Sequence, residues 1–459
     1  MGTDYIQKVN VDFKQPLCKN FLGLNAVYHA FSYMPSAVAR GMSDVDRANE
    51  LKSVKEARLR IARPMFIPAY NCERIEGPYN MQSPEMEGIV QWCRDLKNIG
   101  VEVALQAGWH YSRNTYYGRN ELDSEKDPEI FAKWAAESFS YLMDKFGLDN
   151  IKYCILFTEP TAYSSGITPE GYTIWTYYVK VCRAIDAKFK EYGLRERLKF
   201  VGPNNCSSGV HLTEAVRDLN DMIDIYSGHD YNHVHQQTWA NVAKNMAEQV
   251  ASTGKPFWMD EYGMQLEIFR STPEYGNYIA QILTASVAAG HQTSFIWTLF
   301  DQDHGNKGYY NTDSFHDGVH RWGVHSWHRD NLPGAGSPYP AWYAYVLLSK
   351  ALGGCIDGGK VISCAVTNAM TVYSAAVKQD GEYTVLIVNG NACDTAIEAE
   401  LTGLPTCCKL LYRYNFAPYC EFPGYGTLSA PTPLNVEYNK FKDILPKSGF
   451  CAYSTRAEL

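Results

Sequence analysis

Short apolar runs recur along the first two thirds of the chain. Each is followed by a longer stretch in which apolar residues return every three or four positions. A run of four to seven apolar residues suits a buried strand, and the three-to-four spacing suits an amphipathic helix. The runs fall at 21–27, 60–64, 101–107, 151–157, 198–202, 223–227, 256–259 and 293–299. Helix signals lie between them. Ser43 precedes Asp44 and Asp46 in a first turn, and the helix expected at 84–98 opens on Pro84 and closes before Gly100. A further helix is expected at 128–146, and helices of ten or more residues are expected between all successive strands. Eight strand and helix units in series match a closed parallel barrel better than an open doubly wound sheet.

From Lys360 onward the period changes to two. Runs at 361–366, 370–377, 383–388, 396–401, 408–414 and 449–454 are separated by turn residues. The alternation at 6–13 is similar, which suggests that the N-terminal segment joins the same layer. The expected architecture is therefore α/β: a TIM (β/α)8 barrel over 19–352 with a C-terminal antiparallel β-sandwich domain over 353–459, joined by a strand from 1–18. Between the two lies a long segment at 301–340, rich in Gly, Asp, His and aromatics, of a length that is usually functional.

Charge and composition narrow the classes of function. The net charge of −8 comes without any Lys/Arg run, so no basic stripe is available for nucleic acid. No apolar stretch reaches a membrane-spanning length, and Met1-Gly2-Thr3-Asp4-Tyr5 does not begin a secretory leader. Thirteen cysteines, an odd number without regular spacing, fit reduced core thiols better than a disulfide framework, and a cytoplasmic location is the expectation. Neither GxGxxG nor GxxxxGK[ST] occurs, so no nucleotide cofactor is expected. Asp301, Asp303 and His304 match neither an EF-hand loop nor HExxH, and no metal is expected there. Asn205-Cys206-Ser207 fits a glycosylation sequon but adjoins a barrel strand. The 33 tyrosines and 10 tryptophans supply flat faces on which sugar rings stack.

Two glutamates carry the chemistry. Glu159 follows the fourth run in Cys154-Ile155-Leu156-Phe157-Thr158-Glu159-Pro160, and Glu261 follows the seventh in Trp258-Met259-Asp260-Glu261-Tyr262-Gly263. Both would project at the C-terminal mouth of the barrel, where such folds place their chemistry. Two facing carboxylates suit glycosidic cleavage, one giving a proton to the leaving oxygen and the other attacking the sugar or activating water. Apolar neighbours such as Phe157 and Tyr163 would raise the pKa of Glu159 and suit it to the acid role, and Tyr262 would aim Glu261.

Thr158-Glu159-Pro160, followed about a hundred residues later by Asp260-Glu261-Tyr262-Gly263, resembles the acid/base and nucleophile signatures of the clan A retaining glycoside hydrolases. The resemblance spans the barrel and includes Arg63 at the end of the second strand, His229 and Tyr231 after the sixth, and Trp297 on the eighth. Tyr339-Pro340-Ala341-Trp342-Tyr343-Ala344-Tyr345 and the following β domain are similar to families 39, 30 and 51 of that clan. The resemblance implies Glu159 as acid/base and Glu261 as nucleophile, with Arg63 and Tyr231 keeping Glu261 ionised. Trp109 and His110 after the third strand, and Trp297, are candidate sugar walls and hydroxyl binders, with Asn205 and Asn25 further candidates at the barrel mouth. One departure is Thr158, where the clan places an Asn that holds the sugar 2-hydroxyl. The identity of the cleaved sugar stays open on that ground.

The implied function is a retaining exo-glycosidase acting on an oligosaccharide or glycoside. The exo preference rests on the segment after the eighth strand and the aromatic insert at 111–117. The alternatives are an endo-acting glycanase of the same clan and a non-catalytic carbohydrate-binding barrel. A metal-dependent barrel hydrolase or aldolase is less well supported: His233-Val234-His235 has His-x-His spacing but follows the sixth strand, and no lysine ends a strand. Homo-oligomerisation is open.

Overall fold

The computed structural model describes residues 6–108, 128–159, 170–205, 210–231, 239–264, 267–303, 319–328, 336–353, 359–367, 371–417 and 430–459. The chain enters through a long strand, β1 (Gln7–Phe21), and passes directly into a closed barrel of eight parallel strands. These are β2 (Leu24–Val27), β3 (Ile61–Arg63), β4 (Glu102–Ala107), β5 (Ile151–Leu156), β6 (Lys199–Asn205), β7 (Ile225–Asp230), β8 (Phe257–Tyr262) and β9 (Thr293–Ile296). β9 pairs back onto β2, which closes the ring.

Helices α1 (Pro35–Ala39), α2 (Asp44–Glu56), α3 (Pro84–Asn98), α4 (Pro128–Ser140), α5 (Ile174–Glu191), α6 (Leu212–Leu219), α7 (Trp239–Val250), α8 (Glu267–Arg270), α9 (Pro273–Ala288) and α10 (Pro340–Ala351) follow in chain order. The capping signals act as expected. Ser43 and Asp46 form a reciprocal capping box on α2, and the Ser83 hydroxyl accepts from the Met86 N–H on α3. Two expectations shift. The helix expected at 128–146 ends at Ser140 and continues as one π-helical turn, Tyr141–Lys145, and α6 has only 8 residues.

Strand alternation sorts the barrel into two cores. Val27, Ile61, Ala104, Ile155, Val201, Ile225, Trp258 and Phe295 point inward and fill the barrel axis. Their alternates, such as Ala62, Val103, Leu156 and Met259, pack against the helical shell. A filled interior blocks any pore and leaves the C-terminal mouth as the place where inward-facing polar side chains can meet.

Beyond the barrel, β10 (Gln302–Asp303) and β11 (Val319–His320) form a small hairpin. The C-terminal strands are β12 (Val361–Thr367), β13 (Val372–Gln379), β14 (Glu382–Asn389), β15 (Thr395–Thr402), β16 (Leu410–Phe416), β17 (Thr432–Asn435), β18 (Lys440–Leu445) and β19 (Phe450–Ser454). The expected antiparallel sandwich is corrected here. The strands form one nine-stranded sheet ordered β17-β16-β19-β14-β13-β12-β1-β15-β18, and it is mixed because β1 pairs parallel with β15. The sheet curls nearly closed around its own core of Val9, Val11, Ile387, Ile397, Leu411 and Phe441. Its two ends meet where Arg413 of β16 bonds Asp443 of β18, which also accepts from the Tyr453 hydroxyl at 2.7 Å. The sheet docks on the barrel through α9. Asn277 donates to the carbonyls of Asn389 and Gly449 at 3.0 and 3.2 Å, and Gly276 lies against Phe416 so closely that a Cβ would stand 2.5 Å from its ring.

Candidate active site

Arg63 is the residue around which the site is built. It ends β3 on the inward row above Ile61, with 1% of its surface exposed. Its guanidinium donates to the Asp260 carbonyl at 2.8 Å, to the Thr158 hydroxyl at 3.2 Å, to the Asn204 side-chain oxygen at 3.3 Å and to the Glu261 carboxylate. One side chain thus joins the tips of β3, β5, β6 and β8. A planar fork of five donors is suited to this task, and lysine could not reproduce it.

Glu261 lies within β8 rather than past its end, and it is 3% exposed. One carboxylate oxygen pairs with Arg63, and the other accepts from the Tyr231 hydroxyl at 2.8 Å. Tyr262, expected to aim it, points the other way into the helix-packed core and is fully buried there. Tyr231 takes that role from the next strand.

Glu159 stands opposite, in a left-handed backbone conformation with φ of +48°; Phe157 and Asn204 share that region at +39° and +56°. Non-glycine residues in this region carry strain that the surrounding structure must hold. The Glu159 N–H does so by donating to the Asn204 carbonyl at 2.8 Å. The two positive φ values also break the alternation of β5. Phe157 turns outward to stack on Phe131 of α4 at 4.9 Å, so it does not supply the apolar surroundings expected of Glu159, which meets the polar His229 instead.

Glu159 faces His229, which is fully buried, with Nδ1 2.8 Å from Glu159 Oε1 and 3.3 Å from Glu261 Oε2. Its Nε2 lies 3.6 Å from the Asp260 carboxylate. Burial disfavours a charged imidazole, but Glu261, Glu159 and Asp260 outweigh it and raise the His229 pKa above the ordinary histidine value. Burial likewise raises the Asp260 carboxyl, against the pull of His229 and Arg63, and Asn204 donates to it. The cations Arg63 and His229 are thus threaded between three carboxylates, one more than the cations.

The structure therefore brings together Glu159, Glu261, Arg63, Thr158, His229 and Tyr231. Trp297, 8% exposed, lines the mouth above Phe295 beside Trp322, with ring centroids 6.0 Å apart. Arg270 donates to the carbonyls of both tryptophans. Asn205 is turned away to donate to the Val210 carbonyl at 3.2 Å. Asn25 is a barrel brace, accepting from the N–H groups of Arg60 and Ile61 and donating to Thr293. Asp301 accepts from the Gly323 N–H and the Tyr339 hydroxyl, a loop brace rather than a ligand. Trp109, His110, Tyr163, His233, His235, His304 and the insert at 111–117 lie outside the described residues. Asn204 and His29 belong to the mouth but carry no sequence signal for it, since each is placed by contacts across the barrel, whereas Asp260 stands in the strand-end motif and only its contacts with Asn204 and His229 come from the fold.

One oxygen each of Glu159 and Glu261 and a ring nitrogen of His229 lie within 4.8 Å of one another, a donor set that a divalent ion could use. The fit is poor. Arg63 already holds one Glu261 oxygen, and Nδ1, the His229 nitrogen nearest both carboxylates, carries a proton when the ring is charged.

Arg63→Met is expected to cost about 3–5 kcal/mol of stability, because Glu261 is left buried without a counter-charge. Thermal and denaturant unfolding would measure it. A loss under about 1 kcal/mol would show that the pair is not the clamp described.

No protein-family model matches the chain, and no curated protein matches it. Solved structures do match over nearly the whole length. A glycoside hydrolase family 30 subfamily 8 xylanase from Clostridium acetobutylicum is 15% identical with a TM-score of 0.63, covering 97% of this chain and 99% of that one. A monomeric beta-xylosidase from Caulobacter crescentus CB15 is 13% identical with a TM-score of 0.64, covering 98% and 99%. A family 39 enzyme from Xanthomonas axonopodis pv. citri is 13% identical with a TM-score of 0.64, covering 98% and 97%. The chain has a fold like that of the clan A retaining glycosidases and resembles enzymes of families 30 and 39.

Proposed function

We propose that this protein is a retaining glycoside hydrolase that releases a terminal sugar from an oligosaccharide or glycoside. The observation that carries the reading is the pair Glu159 and Glu261, facing each other across the barrel mouth with carboxylate oxygens within 4.8 Å. That spacing supports direct attack, since inverting pairs leave room for a water between carboxyl groups roughly 6.5–9.5 Å apart. Glu261, fixed in place by Arg63 and the Tyr231 hydroxyl, attacks the anomeric carbon. Glu159 gives its proton to the leaving oxygen as the C–O bond breaks. In the second half Glu159 takes a proton from water, and the water oxygen displaces Glu261 from the sugar.

His229 contacts both carboxylates through one nitrogen. It stabilises Glu159 as a carboxylate when the glutamate acts as base, and it can share the proton that Glu159 donates. Exo action is supported by the aromatic insert at 111–117 and the long segment after the eighth strand. The odd count of cysteines supports a cytoplasmic setting.

A second reading, metal-assisted hydrolysis, is favoured by the donor set of Glu159, His229 and Glu261. One experiment separates the two. A panel of α and β aryl glycosides, pyranose and furanose, is assayed with and without EDTA and with added Zn2+ or Mn2+. The double-displacement reading expects release of one terminal sugar, with the anomeric configuration of the first product retained and the rate unchanged by chelation. A rate abolished by EDTA and restored by metal would move the assignment to the second reading.

A further inference from the structure

We propose that His29 is a substrate-binding residue of the cleft, its Nε2–H donating to a hydroxyl of an uncharged sugar unit seated against Trp297. This rests on the glycosidase reading and adds to it a residue and a class of sugar.

The argument starts from strand alternation. β2 ends at Val27, which fills the barrel axis, and Tyr28 continues the ladder by donating its N–H to the Arg63 carbonyl at 3.1 Å. Tyr28 points outward, its ring against Trp92 of α3 and its hydroxyl on Glu50 of α2 at 3.0 Å. His29, in extended backbone, therefore turns inward above Val27, as Arg63 does above Ile61. Its ring stands edge-on to Trp297 with centroids 5.4 Å apart, and the other flank packs on Phe31 at 5.0 Å.

Hydrogen bonding then fixes the tautomer. Nδ1 accepts from the Met65 N–H at 2.7 Å, so in the neutral ring the hydrogen resides on Nε2. The residue is 6% exposed, and Nε2 has no hydrogen-bond partner among the described residues. A buried donor left unmatched is costly, and such groups are rare in folded proteins unless something outside the chain completes them. Here the surroundings match a sugar: an aromatic face at Trp297 for the ring and a fixed N–H for a hydroxyl. The Arg63, Glu261, Glu159 and Tyr231 side chains are engaged with one another, so His29 contributes a donor not spent within the catalytic constellation.

The same geometry selects charge. Burial, and then the nearby Arg63 cation, hold the His29 pKa down at about 3, so the ring is neutral across the working range. It offers a hydrogen bond but no counter-charge. The site as a whole sets three carboxylates, Glu159, Asp260 and Glu261, against two cations, Arg63 and His229. A uronate carboxylate would add to that excess, and a neutral sugar would not.

The test uses His29→Asn, whose side-chain oxygen can still accept from the Met65 N–H while nothing replaces Nε2. Once the panel above names the sugar, its monodeoxy aryl glycosides are compared in wild type and variant. On the parent glycoside kcat/KM is expected to fall roughly 10- to 100-fold in the variant. One deoxy glycoside should lose a similar factor in wild type and show little further loss in His29→Asn. If every deoxy loss instead multiplies with the variant's own loss, His29 is only a packing residue. A uronide hydrolysed as well as its neutral counterpart would overturn the charge assignment. Should wild type cleave no glycoside at all, the proposed function fails while His29 remains decidable. The imidazole 15N signal of its Nε2 then shifts on addition of neutral monosaccharides if the residue binds sugar, and an unmoved signal refutes it.

Discussion

Glu261→Gln is expected to lower kcat on the order of 10^4-fold or more, on every glycoside that the wild type cleaves. The substitution is nearly isosteric, and its carbonyl oxygen can still accept from the Tyr231 hydroxyl. What it lacks is a lone pair basic enough to bond the anomeric carbon. An activated aryl leaving group removes the need for a proton but not for a nucleophile, so dinitrophenyl glycosides should be lost with the rest. The fold should survive. Arg63 keeps the Asp260 carbonyl, Thr158 and Asn204 as acceptors, and the cost is that of one uncompensated cation. Azide at high concentration should restore turnover by taking the vacated place beside the sugar, giving a glycosyl azide of inverted configuration. More than a few per cent residual activity without such an anion would sink the assignment of Glu261.

The barrel was legible because each of its strands is a short apolar run bounded by helix signals, and both cores need those runs. The helix over Pro84–Asn98 falls where its proline start and glycine stop place it. The C-terminal layer was less legible. Alternation tells which face of a strand is buried, but a sandwich and a single curled sheet bury the same face, and only pairing distinguishes them. β17 contains Pro433, and β18 reads Lys-Phe-Lys-Asp-Ile-Leu with two lysines and an aspartate, so neither stands out as a strand.

Within the site, the residues found from sequence are those whose neighbours in the chain announce them: acids at the ends of apolar strands, an arginine before a proline, a histidine and tyrosine two apart. Residues placed by contacts across the barrel leave no such mark. Chain neighbours are a poor guide to the surroundings of Glu159, because the positive φ at Phe157 goes with a ring that stacks on Phe131 instead. Asn204, not its neighbour Asn205, serves the site, because the left-handed turn at 204 sends its side chain to Arg63 and Asp260. Nothing local marks His29, an inward-facing histidine whose partner is a backbone N–H 36 residues away.

Glu159→Gln should separate the two halves of the reaction and so assign the second carboxylate. The amide cannot donate an acidic proton, so glycosides with poor leaving groups should fall by roughly 10^2- to 10^4-fold. Leaving groups that depart as stable anions need no proton, and their first step should be nearly unchanged. The second step still lacks its base, so those substrates should give a burst of released phenol followed by slow turnover while the glycosyl-enzyme accumulates on Glu261. This contrast with Glu261→Gln follows from the geometry: His229 Nδ1 is 2.8 Å from Glu159 and 3.3 Å from Glu261, so proximity to the histidine alone does not tell acid from nucleophile. The contact with Arg63 does. A carboxylate paired to a permanent cation has a fixed counter-charge and a fixed orientation for attack, whereas one bonded to an imidazole has a partner that can itself take up or release a proton during the cycle. If the burst instead appeared in Glu261→Gln, and Glu159→Gln lost all leaving groups equally, the roles would have to be exchanged and the Arg63 argument abandoned.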